Sequence, residues 1–84
     1  MNRYLILVMR NPNFDAALVD AHLHFLEDLR AQGCVELSGG FSDCSGGAWL
    51  LRAASLDEAT AIAQRDPLHL KGASTITVHE WKAK

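Results

Sequence analysis

The sequence lacks any basic run, any long apolar run and any framework of cysteines, and each absence excludes a class of function. Its 84 residues carry 8 Lys and Arg against 10 Asp and Glu, a formal net charge of -2. Nucleic-acid binding needs a positive stripe to offset phosphates, and none is present. The longest apolar run, Tyr4 to Met9, is far too short to span a bilayer as a helix. It also lacks a signal-peptide cleavage pattern, so it reads as a strand and the chain is expected to be cytoplasmic, with no membrane partner. The 2 cysteines, Cys34 and Cys44, are too few for a disulfide scaffold and are expected to be free thiols. No Cys-x-x-Cys or His-x-x-x-His spacing occurs, so no metal site is expected. Nucleotide-binding and nucleophile-elbow fingerprints are missing as well.

What is present is the composition of a packed domain, because 49% of the residues are hydrophobic. In the first strand, Tyr4, Ile6 and Val8 alternate with Leu5, Leu7 and Met9, so both faces are apolar. Asn11-Pro12-Asn13 breaks it. A helix is predicted from about Asp15 to Gln32, with Leu18, Ala21, His22, Phe25 and Leu29 as its inward stripe and Gly33 as its stop. A short strand covers Cys34 to Leu37, a Gly- and Ser-rich loop Ser38 to Gly47, and a third strand Ala48 to Ala53. Ser55 and Glu58 form a capping box for a second helix that runs to about Arg65. Asp66-Pro67 ends it, and a turn holds Leu68 to Gly72. The last strand, Ser74 to Lys82, has Ile76, Val78 and Glu80 on one face.

The order β-α-β-β-α-β predicts an α+β fold: a ferredoxin-like sandwich, with two helices on one face of an antiparallel sheet. Those helices leave the other apolar face of the first strand uncovered. A second copy of the chain, joined sheet to sheet, is the simplest cover, so a homodimer is expected.

Of the histidines, His22 is the one that points inward. It lies about 40° around the helix from Leu18, whereas His24 lies about 120° away on the polar side. An inward imidazole needs partners for its polar atoms. It is either a core residue bonded to a backbone carbonyl or part of a site. Asp66, before Pro67, reads by itself as an ordinary helix-ending residue.

Further residues bear on the choice. Ala21-His22-Leu23 is followed by Leu26, Leu29 and Gly33, then by Leu37-Ser38-Gly39. A hydrophobic strand, a helix carrying Glu58-Ala59, and Asp66-Pro67 come next. Over essentially the whole chain this pattern resembles the YCII-related family, and Arg3-Tyr4-Leu5-Ile6-Leu7 is similar to that family's first strand. The resemblance implies one YCII-related domain over residues 1–84 and pairing into a dimeric α+β barrel. It also implies a His-Asp dyad that falls on His22 and Asp66. The family includes a dehydrochlorinase that acts on a chlorinated hydroquinone.

The chain departs from the family at Gly40-Phe41, where many members carry a proline, and at Leu68, where an aromatic residue often follows Asp-Pro. Substrate identity therefore does not transfer. Gly39, Gly40 and Ser42 are the expected substrate contacts. The expected function is that of a small cofactor-independent lyase or isomerase using general acid-base chemistry on a small organic molecule. The alternative is a non-catalytic, ligand-binding or accessory dimeric domain. An Asp66 oxygen should then lie roughly 2.6–3.2 Å from an imidazole nitrogen, with the other nitrogen facing a cavity. His22→Leu is expected to be tolerated or even stabilising, since leucine fills the same space without a polar group to satisfy.

Overall fold

The doubly apolar run becomes β1, Asn2–Arg10, in the interior of a four-stranded antiparallel sheet. The computed structural model describes residues 1–84. After β1 a single 3-10 turn, Ala16–Leu18, leads into α1, Val19–Ala31. There follow β2 (Val35–Gly40), β3 (Gly46–Ala53), α2 (Leu56–Ala63), a one-turn α3 (Pro67–Leu70) and β4 (Ser74–Glu80). The strand order is β2-β3-β1-β4, the ferredoxin-like arrangement, with α1 and α2 on one face.

Register explains the core. Ile6 sits between Trp49 of β3 and Val78 of β4, and Tyr4 pairs with Leu51. Leu26 and Leu29 of α1 and Ala59 and Ala63 of α2 close over these side chains. The alanines let α2 approach the sheet closely. The opposite face carries Leu5, Leu7 and Leu50, with no helix over it; Leu37 at its edge is 69% exposed.

Several element boundaries differ from the sequence reading, for physical reasons. The segment Ser38 to Gly47 is not one loop: β2 runs through Gly40, β3 starts at Gly46, and only residues 41–45 turn. Glycine here permits close strand pairing, since a Cβ on Gly47 would lie 2.5 Å from the Gly39 carbonyl oxygen. The turn is fixed by Asp43, whose Oδ1 accepts from the Ser45 amide at 2.9 Å. Hydrogen bonds from the Ser45 side chain and then its backbone hold the Asp43 carboxyl below the usual range. Asp15 caps the 3-10 turn rather than α1 itself. On α1, Ala21 is exposed and Leu26 is buried, because the buried stripe is centred nearer Leu26. Ser55 caps α2 by accepting from the Glu58 amide at 3.1 Å, while Glu58 reaches back to the Ala54 amide. That helix ends at Ala63, and the turn after Asp66 contains the extra helix α3. The last strand stops at Glu80 rather than Lys82.

Candidate active site

Asp66 sits where α2 gives way to α3, with an extended backbone and Pro67 as the first helical residue. Proline needs no partner for an amide hydrogen there, so the next amide, that of Leu68, is the one to be satisfied. Asp66 Oδ1 accepts from it at 3.0 Å. This local cap fixes the carboxylate and leaves Oδ2 free to reach across to α1, which packs against α3. His22 Nδ1 lies 2.7 Å from that oxygen. The Asp66 side chain is 0% exposed and that of His22 15% exposed. The pair is therefore dry on the carboxylate side and open on the imidazole side.

His22 Nε2 makes no hydrogen bond within the protein, and the ring lines a cavity of about 260 Å³. Leu23 and Leu26 of α1, Leu68 of α3 and Trp49 of β3 form apolar walls. Gly39, Gly40, Gly46 and Gly47 form a floor without side chains. Two wall residues carry buried polar atoms that lack any protein partner, Trp49 Nε1 and Ser74 Oγ. At the open edge stands Arg10, its guanidinium carbon 4.2 Å from the centroid of the Phe14 ring.

The chain can be compared with known proteins. The family model described as the YCII-related domain matches residues 2–82. The chain belongs to the YCII-related family. An uncharacterized protein of Bacillus subtilis (strain 168), YjpA, is 43% identical over 84 residues, covering 100% of this chain and 99% of that one. Among solved structures, the 5-chloro-2-hydroxyhydroquinone dehydrochlorinase TftG from Burkholderia phenoliruptrix AC1100, in complex with 2,5-dihydroxybenzoquinone, superimposes with a TM-score of 0.75 at 26% identity. The match covers 98% of this chain and 95% of that one.

In this YCII-related chain the structure brings His22 and Asp66 together and sets Gly39 and Gly40 on the cavity floor. It does not place Ser42 with them. Because β2 continues through Gly40, Ser42 falls in the exposed turn beyond the sheet and outside the cavity lining. Phe41 is also outside, while Leu68 is a wall. His24 is exposed, and Cys34 and Cys44 are unbridged.

Sequence reasoning missed Arg10, Trp49 and Ser74. A signal for two of them existed. The inward alternation Tyr4, Ile6, Val8 continues to Arg10, and Trp49 alternates in the same way with Leu51 and Ala53.

Proposed function

We propose that this chain is a cofactor-independent lyase or isomerase in which His22 transfers protons and Asp66 orients it. The carrying observation is the division of labour between the two imidazole nitrogens. Nδ1 is bound to a fully buried carboxylate, while Nε2 has no protein partner and its ring borders the cavity. When Nδ1–H donates to Asp66, the lone pair lies on Nε2, on the cavity side. A substrate hydroxyl or an acidic C–H placed there loses its proton to Nε2. The electron pair left behind either expels a leaving group such as chloride or moves within the substrate until the imidazolium returns the proton to a different atom. The first course is a lyase reaction that releases a proton and chloride. The second is an isomerisation. Neither requires an external oxidant or reductant. The dehydrochlorinase named above, whose fold this chain shares, supports the lyase course and a hydroxylated ring as substrate class.

Homodimerisation is part of the same reading. Leu5, Leu7 and, at its edge, the exposed Leu37 form an apolar sheet face without a helical cover, and a second copy related by a two-fold axis would bury it. No helix is long and apolar enough to cross a membrane.

Assay of chlorinated hydroxyhydroquinones and enolisable carbonyl compounds tests the proposal. Turnover should fall by about 10²–10⁴-fold in His22→Gln, the range for loss of a general acid-base group. Ligand binding with no turnover by the unaltered protein would defeat the enzyme reading in favour of a binding domain.

A further inference from the structure

We infer that the cavity takes a small planar organic anion, whose charged oxygens are held by Arg10. This rests on the reading of the cavity as the active site and adds the charge and shape of what enters it.

Charge comes first. The cavity is lined by Arg10 and by His22, and no carboxylate residue joins them. Arg10 takes part in none of the ion pairs of the molecule, which join Arg3 and Arg52 to Glu36, Arg30 to Glu27, and His22 to Asp66. The acidic residues of the neighbouring loops are engaged elsewhere. Asp15 Oδ1 accepts from the Ala17 amide, and Asp43 Oδ1 accepts from the Ser45 amide. Arg10 is nonetheless held in place. Its amide donates to the Ser45 carbonyl at 2.9 Å, and its guanidinium lies over the Phe14 ring. A ring face steadies a cation without occupying its N–H donors. Arg10 thus offers a fixed fork of free donors at the edge of an apolar cavity. That is the geometry that takes a carboxylate or phenolate through paired hydrogen bonds.

Shape comes second. A dry cavity of roughly 150 Å³ is enough to hold a benzene ring. The cavity here, about 260 Å³, therefore accommodates one substituted ring. The floor is bare backbone, and not all of that bareness is required by the fold. A Cβ on Gly46 would lie 2.1 Å from the Val8 carbonyl oxygen, so glycine is forced there. A Cβ on Gly40 would meet only the Gly46 carbonyl oxygen, at 3.8 Å. Gly40 pairs with Gly47, which pairs with the inward-facing Val8, so that Cβ would project on the helix side of the sheet. The space it leaves is open to a flat ligand lying between Arg10 and His22.

Calorimetric titration with 2,5-dihydroxybenzoate and with the uncharged 2,5-dihydroxybenzamide tests both parts. The acid should bind at least about 10-fold more tightly than the amide, as expected for a charge-assisted pair. Arg10→Met should bring the acid to the affinity of the amide and leave the amide unchanged. Arg10→Lys should restore part of the difference. Gly40→Leu should weaken both ligands by filling the floor. Arg10 is exposed, so circular dichroism of its variants should match that of the unaltered protein.

Equal binding of acid and amide, binding of neither at millimolar concentration, or an acid preference that persists in Arg10→Met would each overturn the inference. The outcome is separable from that of the proton-transfer reading. An Arg10-dependent preference with no turnover sinks only the enzyme, whereas His22-dependent turnover with no acid preference sinks only the anion.

Discussion

Replacing His22 by leucine should destabilise the protein, contrary to the expectation from the sequence that leucine would fill the same space without a polar group to satisfy. The reason is Asp66, which is fully buried and whose Oδ2 has His22 as its side-chain partner. Removing the partner of a buried charge typically costs about 3–5 kcal/mol, because the charge is stranded. His22 is slightly open to water. The lower end, about 3 kcal/mol, therefore applies. Asp66→Asn alone keeps Oδ1 for the Leu68 amide and weakens the contact with His22, at about 1–2 kcal/mol. With both changes no buried charge remains, and the double variant should be no less stable than His22→Leu alone. The coupling is then at least about 1–2 kcal/mol, well beyond the roughly 0.5 kcal/mol within which independent sites add.

A chain of this length has a total stability of only about 4–13 kcal/mol, so these changes are large. At about 4–8 °C per kcal/mol, His22→Leu should melt roughly 12–24 °C lower. Urea unfolding followed by fluorescence of the buried Trp49 and by circular dichroism measures all four corners of the cycle. Protein concentration is held fixed, since self-association would contribute to stability. A stabilised His22→Leu variant, or effects that add within about 0.5 kcal/mol, would refute the account of Asp66 as a stranded charge.

Gly47→Ala should lose about 1–3 kcal/mol in the same assay, because its Cβ would collide with the Gly39 carbonyl oxygen. Gly40→Ala has space for its methyl group. It should stay within about 0.5 kcal/mol of the unaltered protein, and a large loss there would contradict the open floor. Leu7→Glu should shift light scattering from dimer to monomer, and a monomeric unaltered protein at micromolar concentration would remove the dimer. Replacing Cys34 and Cys44 together by alanine should leave turnover within a few-fold, and its loss in a folded protein would reveal thiol chemistry. Cys44 holds a left-handed backbone with φ of 64°. Cys44→Gly should therefore raise stability by up to about 1 kcal/mol.

The fold was legible where one physical rule acted alone. The two-residue alternation of Tyr4, Ile6 and Val8 specifies the inward face of β1, and the Ser55 to Glu58 spacing specifies the start of α2. His22 was legible as inward for the same reason: leucines flank it at helical spacing. Legibility failed where two rules competed. Gly39, Gly40, Gly46 and Gly47 read as loop by composition, yet all four lie in paired strands, and at Gly46 and Gly47 the close approach of a neighbouring backbone itself calls for glycine. Leu26 was passed over because a stripe centred on Leu18 lies to one side of the true buried face. The pairing of His22 with Asp66 had no signal in spacing, since the two residues are 44 positions apart and meet through packing of α1 on α3. It was reached through the family resemblance. The cavity contact of Ser74 depends on which side of a folded sheet lies beside α1, which periodicity within one strand does not report.

The double engagement of Asp66 limits how such a protein can drift if the proposed chemistry is no longer selected. The carboxylate caps α3 with one oxygen and holds His22 with the other, so it cannot be discarded as readily as a residue that serves chemistry alone. An early tolerated step is exchange for asparagine or serine, which keep an acceptor for the Leu68 amide and remove the buried charge. Only after that step is the histidine free to become leucine without stranding an anion. Lineages in which the proposed chemistry is lost should thus carry altered caps before they carry altered helices. A relative with an aspartate at this position and an aliphatic residue in place of the histidine should be rare, or should have acquired a new cation nearby.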